Sequence, residues 1–138
     1  MGISSFQYHY QTSQVEGISS GFYLLDRKIL QLGLIKEGLL LKSMAQVCLD
    51  QMWLAQAGLQ VLFLSNPVSL DHNQGPRGYR YAMMSAGRLG ERLYLLSSAM
   101  GLGCCGIGAF YDQEAADLLG LDAAGRLVYL VAVGVGKK

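Results

Sequence analysis

Residues 79–110 read YRYAMMSAGRLGERLYLLSSAMGLGCCGIGAF, a helical pattern that runs into a glycine-rich apolar stretch. Ala82, Ala86, Leu89, Leu93, Leu96 and Met100 advance by four, three, four, three and four, the spacing that aligns side chains on one face of an α-helix, and that face is expected in the core. Met83, Gly87, Gly90, Tyr94 and Ser97 form a second stripe, in which two glycines let another backbone come close. Each glycine costs a helix up to about 1 kcal/mol relative to alanine, so close packing is the expected compensation. At roughly 1.5 Å per residue such a helix reaches about 30 Å, which predicts that it runs through the middle of the fold.

Beyond the helix, Gly101, Gly103, Gly106 and Gly108 alternate with Leu102, Cys104, Cys105 and Ile107 and lead to Ala109 and Phe110. The stretch carries no charge, which predicts a buried loop. Glycines at such density imply that something flat or bulky approaches the backbone, or that the chain takes φ angles closed to other residues. Gly101, Gly103 and Gly106 match G-x-G-x-x-G, but that fingerprint follows a strand and opens a helix, whereas here a helix precedes it. A Rossmann reading is therefore set aside.

Working outward, the chain of 138 residues suffices for one core and one domain. Hydrophobic residues make up 51% and charged residues 15%, and the mean hydropathy is +0.27. So little charge predicts an apolar surface covered by a partner, most simply in a dimer. A formal charge of +1 gives no reason to expect nucleic acid or an anionic membrane as partner. No apolar run reaches the roughly 18 residues of a membrane span, and the first residues lack the basic and apolar regions of a signal peptide, so a cytoplasmic location is expected. Cys48, Cys104 and Cys105 show no metal-site spacing and read as small buried thiols; no metal is expected.

On the N-terminal side, Phe6, Tyr8 and Tyr10 alternate with polar residues as in a half-buried strand, with His9 on the polar side. Residues 21–26 and 28–32 read as two short antiparallel strands joined around Asp26-Arg27. Residues 34–49 read as a helix with Leu40 or Leu41, Met44, Val47 and Cys48 inward. Asp50 is the expected cap of a short helix holding Trp53. Residues 60–65 form an apolar strand, and 66–78, which contain both prolines, read as a loop bordering a site. On the C-terminal side, Asp112 is the expected cap of a helix over 113–119 that Gly120 ends, and 127–135 read as a buried strand. No nucleophile elbow, zinc spacing, P-loop or paired carboxylates near a histidine occur, so composition and spacing alone stop at an α+β domain without a named catalytic residue.

Eight blocks in order carry a family resemblance: Val15-Glu16-Gly17, Gly21-Phe22-Tyr23, Asp50-Gln51-Met52-Trp53, Arg77 to Ala82, Ala86-Gly87 with Leu93 to Leu95, Gly101 to Phe110, Leu118 to Leu121, and Tyr129 to Gly134. Together they resemble the FMN-dependent nitroreductase-like family, and within it the azoline-dehydrogenase branch that acts on thiazole/oxazole-modified peptides. The resemblance implies an α+β fold with an antiparallel or mixed sheet flanked by helices on both sides and a long central helix. It also implies a homodimer or a complementing chain, and one domain over 1–138 that lacks the family's N-terminal region.

For function, the resemblance implies an FMN-dependent oxidoreductase that moves hydride between NAD(P)H and a nitroaromatic, quinone or azoline-type substrate. The alternative it leaves is a non-catalytic, truncated module that binds FMN weakly or only with a partner chain. The flavin would lie along the backbone of Gly103, Cys105, Gly106, Ile107, Gly108 and Ala109, while Arg77, Arg80 and Lys137 would meet its phosphate. The chain also departs from the family pattern. The arginine-bearing first helix has no counterpart before Phe6, the Lys-Tyr pair of azoline oxidases is replaced by Asn73-Gln74, and Ser85 stands where an acidic residue is usual.

Overall fold

The computed structural model describes the backbone of residues 7–12, 15–38 and 40–136, and the side chains of all of these except 7–12. The side chain of His9 and all of Phe6 and Lys137 lie outside the described residues. Six strands run β1 (Gln7–Thr12), β2 (Gly21–Asp26), β3 (Gln31–Glu37), β4 (Leu59–Ser65), β5 (Gly103–Ile107) and β6 (Arg126–Gly134). They form one sheet in the order β3-β2-β1-β4-β6-β5, and every neighbouring pair is antiparallel. Of the two sheet types expected, it is the antiparallel one.

Helices cover both faces. Along β4, Leu62 and Leu64 face one way and Val61 and Phe63 the other, as the two-residue period of a strand requires. Leu62 and Leu64, with Leu127, Leu130 and Ala132 of β6, pack against α1 (Leu41–Val47), the short 3-10 turn Met52–Gln56 and α4 (Asp112–Leu119). Val61 and Phe63, with Val128, Val131 and Val133, pack against α2 (Pro67–Gln74) and α3 (Gly78–Ala99). Alternation in β6 breaks at Val128 and Tyr129, which both belong to the α3 side. The β4–β6 register shifts at Phe63/Leu64, and this irregularity accounts for the break.

The long helix exists but lies on one face of the sheet. Its 22 residues bury Gly78, Ala82, Ala86, Gly90 and Ser97 and half-bury Leu89 and Leu93. Leu96 and Met100, expected in the core, are 60% and 71% exposed. The apolar stripe that continues into the core is the one made of small residues, because the helix sits too close to β6 for anything larger. A Cβ on Gly90 would stand 2.6 Å from Cε1 of Tyr129. The Tyr129 ring in turn stacks on Phe63, with centroids 5.8 Å apart and planes 27° from parallel.

The glycine stretch is a strand and not a buried loop. Gly101, at φ +71°, ends α3, and the Leu102 N–H closes the helix on the Ser97 carbonyl at 2.8 Å. The chain then extends as β5, an edge strand that is exposed at Gly103, half-buried over residues 104–106 and buried at Ile107. Gly106 must be glycine, since any side chain there would overlap the Tyr129 hydroxyl.

Other boundaries also move. Residues 34–37 belong to β3 and the helix begins only at Leu41, although Leu41, Met44, Val47 and Cys48 are buried as expected. The second strand of the hairpin starts at Gln31, because residues 27–30 form the turn. Residues 67–74 are helical: the Asn66 side chain accepts from the Ser69 N–H at 3.0 Å, and Pro67 occupies the first turn. Asp50 and Asp112 make no side-chain cap; Asp50 sits at φ +57° and Asp112 is the first residue inside α4.

Because Tyr129 fills the space over Gly90, replacing Gly90 with alanine should destabilise the fold by about 1–2 kcal/mol, overpacking outweighing the gain in helix propensity. In a Tyr129→Leu background the same replacement should become neutral or stabilising, by up to about 1 kcal/mol. Urea denaturation of the four proteins in this cycle measures the change of sign.

Candidate functional site

A cleft of about 380 Å³ opens where β5 ends, lined by Leu49, Tyr79, Met83, Leu127, Val128 and residues 108–112. Four elements converge on it. The first turns of α3 supply Tyr79 and Met83 as one wall, and β6 supplies Leu127 and Val128. Leu49, just after α1, and Tyr111, just before α4, form the opposite side. The Tyr111 N–H donates to the Val47 carbonyl at 3.0 Å, which ties the segment after β5 to the end of α1.

Leu49 and Asp50 take φ of +59° and +57°, a left-handed conformation uncommon for residues with a Cβ. It turns the chain sharply enough to leave the Leu49 side chain 44% exposed in the cleft. The floor is backbone. Gly108 and Ala109 are exposed, and among the described residues their N–H groups have no hydrogen-bond partner. A Cβ at Gly108 would meet nothing within 4 Å. The lining is apolar and aromatic, with Asp112 as its charged member.

The candidate residues named above are distributed, not clustered. Gly108 and Ala109 line this cleft. Gly103 and Cys105, with Cys104, line a second hollow of about 350 Å³ at the other end of β5, beside Trp53 and Gly134. Gly106 lies beneath Tyr129 and donates its N–H to the Tyr94 hydroxyl at 2.7 Å, while Ile107 is buried among the residues of the α1 side. Arg77 and Arg80 are exposed at the start of α3, on either side of the lining residue Tyr79. Lys137 lies outside the described residues. Tyr79, Met83 and Leu49 carry no motif; a single signal pointed to any of them, the position of Tyr79 within the Arg77-to-Ala82 block.

Three groups near these surfaces have displaced ionisation. Burial among Met44, Leu54 and Ala115 pushes the Cys48 thiol up to about 11. Burial also raises Cys104, against a lowering hydrogen bond to Ser97, and raises Tyr129, with the nearby Tyr94 adding to the effect. All three thiols are free. No helix of the described residues is long and apolar enough to cross a membrane.

Comparison with known proteins places this geometry. Residues 8–135 match the family described as Nitroreductase family. A candidate nitroreductase of Methanocaldococcus jannaschii is 34% identical over 77 residues, which cover 56% of this chain and 39% of that protein. The crystal structure of a candidate nitroreductase from Anabaena variabilis matches 99% of this chain at a TM-score of 0.92 and 27% identity, over 28% of its own length. One chain of the E. coli microcin synthetase McbBCD complex, solved with truncated pro-MccB17 bound, matches 97% of this chain at a TM-score of 0.80 and 14% identity, over 53% of its length. The NADPH:FMN oxidoreductase of Vibrio harveyi, complexed with NAD+, matches 71% of this chain at a TM-score of 0.60 and 17% identity, over 46% of its length. The chain thus spans well under half the length of the first two relatives.

The Cys48 thiol, beside the cleft residue Leu49, gives the fold an alkaline limit. Its pKa rises from 9.0 to about 11 on folding, so the stability it contributes is complete below pH 9 and is lost as pH climbs through 11. Urea midpoints should therefore fall between pH 8 and pH 10.5, and Cys48→Ala should flatten that fall while lowering the midpoint at pH 8 through lost packing. Cys104 and Tyr129, shifted in the same direction, leave a residual slope in the variant.

Proposed function

The chain belongs to the nitroreductase family, and on that premise we propose that it serves an FMN-dependent oxidoreductase, with the flavin ring seated in the cleft at the end of β5. The observation that carries this reading is the pair of exposed, unpartnered N–H groups of Gly108 and Ala109 at the floor of an apolar cleft. Adjacent donors that no protein group satisfies suit the edge of a planar heteroaromatic ring. Tyr79, Phe110, Tyr111 and Met83 supply the flat, polarizable walls such a ring requires. The volume lies within the roughly 300–1,000 Å³ of small-molecule sites.

The ring end fits; the phosphate end is less well provided. Among the described residues, no lysine or arginine lines the cleft. Arg77, just before α3, and Arg80, in its first turn, flank Tyr79, and the positive end of the helix dipole adds to them. They are the groups of this chain proposed to meet the phosphate, with Lys137. When bound, the flavin supplies the hydride chemistry. The contribution of the chain is to orient the ring through Gly108 and Ala109 and to keep water from it with Leu49, Tyr79 and Met83.

NAD(P)H is the proposed electron donor, and the likeness to a flavin oxidoreductase complexed with NAD+ supports it. A nitroaromatic, a quinone or an azoline-type peptide is the proposed acceptor. The likeness to a chain of a microcin synthetase complex solved with a pro-peptide bound supports the last of these and the azoline-dehydrogenase branch.

A second reading is favoured by the lining itself. A cleft whose charged member among the described residues is Asp112 supports a module that grips FMN fully only with a second copy or a complementing chain. Met84 and Leu95 on the outer side of α3, and Leu96 and Met100 at its C-terminal end on the other stripe, are apolar and 60–71% exposed, surface suited to such a contact.

Purified protein incubated with FMN and desalted should retain a flavin absorbance spectrum. Gly108→Val should weaken FMN binding by about tenfold or more with little change in the urea midpoint, because Gly108 lines the cleft and a Cβ there meets nothing within 4 Å. A variant that keeps its affinity refutes the assigned ring seat. FMN should bind more tightly than riboflavin, and Arg77→Ala with Arg80→Ala should erase that preference. A wild-type chain that does not distinguish the two ligands leaves the phosphate to another polypeptide and supports the second reading.

A further inference from the structure

The hydroxyl of Tyr94 accepts a hydrogen bond of 2.7 Å from the Gly106 N–H across twelve residues of sequence. β5 is the last strand of the sheet, so this N–H, which bonds Tyr94, faces the outer edge that no strand covers. Gly106 is therefore held twice: its N–H by Tyr94, and its α-carbon face by the ring of Tyr129, which allows no side chain there. Both tyrosines are fixed in turn. Tyr94 stands on α3, and Tyr129 is wedged against α3 at Gly90 and stacked on Phe63.

Residues two apart in an extended chain present their N–H groups to the same edge. Gly108 follows Gly106 by two residues, and it is the first residue after β5 whose N–H is left unpartnered. The last fixed point of the edge is thus the Tyr94–Gly106 bond, and the cleft floor begins immediately beyond it. We propose that Tyr94 is a positioning residue for the flavin: its hydroxyl anchors the outer edge of β5 at Gly106 and thereby sets where the Gly108 N–H meets the ring. The proposal rests on the flavin reading above and adds the residue that would govern it.

Tyr94 lies outside the cleft lining, so no direct contact with the flavin is invoked. With a phenyl ring in its place the helix and the packing persist, but the Gly106 N–H turns to water and the strand end gains freedom. A ligand that needs the Gly108 donor at a fixed position then has to restore that order on binding.

The test is Tyr94→Phe, with Tyr81→Phe, a hydroxyl elsewhere on the same helix, as control. Two quantities are measured: hydrogen exchange of the Gly106 amide in the flavin-free protein, and FMN affinity by fluorescence titration. In Tyr94→Phe, exchange at Gly106 should accelerate by about tenfold and the FMN dissociation constant should rise by about tenfold, with the urea midpoint close to wild type. Tyr81→Phe should change neither quantity. Weaker FMN binding without faster exchange at Gly106 overturns the positioning role, since Tyr94 would then act by another route. Faster exchange with unchanged FMN affinity also overturns it, while the flavin reading stands. A wild-type protein that takes up no FMN or riboflavin overturns the flavin reading and this proposal together.

Discussion

One ring sets the distances on which the rest of the structure depends. Tyr129 projects from β6 into the space between α3 and β5, stacked on Phe63 and closed in by Gly90 above and Gly106 beside it. A tyrosine is too large for that space unless two neighbours give up their side chains, and these two do. The helix can then approach the sheet as closely as Ala82 and Ala86 allow, and the edge strand is held at a fixed offset from the helix. Burying a ring of this size contributes on the order of 2 kcal/mol, and it is paid for in glycines, each of which weakens the helix or strand that contains it. The penalty explains why the densest glycine stretch of the chain is still a strand: its partner β6 and the Tyr94 hydroxyl supply the order that glycine does not.

Elements with a single dominant signal were legible in the sequence. The continuous apolar runs of β4 and β6 have no reading other than buried strands, and the four-three spacing of α3 has none other than a helix. Gly120 ends α4 with a φ of +64°, as a glycine after a periodic segment implies. The failures share a cause, competition between two local readings that only tertiary contacts decide. Residues 34–37 fit a helix beginning at Leu34, yet pairing with β2 claims them as strand. Asn66 and Pro67 look like loop residues, and they are equally the cap and first turn of a helix, which is how α2 uses them.

The site divides in the same way. Gly108 and Ala109, which line the cleft, belong to the stretch whose composition sets it apart and for which the resemblance implies a flavin contact. The walls were not legible in this way: Leu49, Tyr79 and Met83 are ordinary residues in sequence and become neighbours only when α1, α3 and the end of β5 converge. The expectation that Gly103 to Ala109 forms one contact surface also meets a geometric limit. A strand advances about 3.3 Å per residue, so Gly103 and Cys105 line a hollow at one end while Gly108 and Ala109 line the cleft at the other. Contiguity in sequence became separation in space.

The electrostatics of the cleft follow from which helix ends surround it. α3 begins beside it with no acidic residue in its first turn and with Arg77 and Arg80 flanking Tyr79, so that rim is positive. α4 also begins there, but Asp112 and Glu114 occupy its first turn and offset its dipole. An anion entering the cleft is therefore drawn toward α3 and away from α4, although both helices point their N-termini at it. The donors of Gly108 and Ala109, unpartnered among the described residues, lie on the segment that joins β5 to α4. The polarity of the two rims thus assigns an orientation to any ligand with one planar end and one anionic end, before any residue contacts it directly.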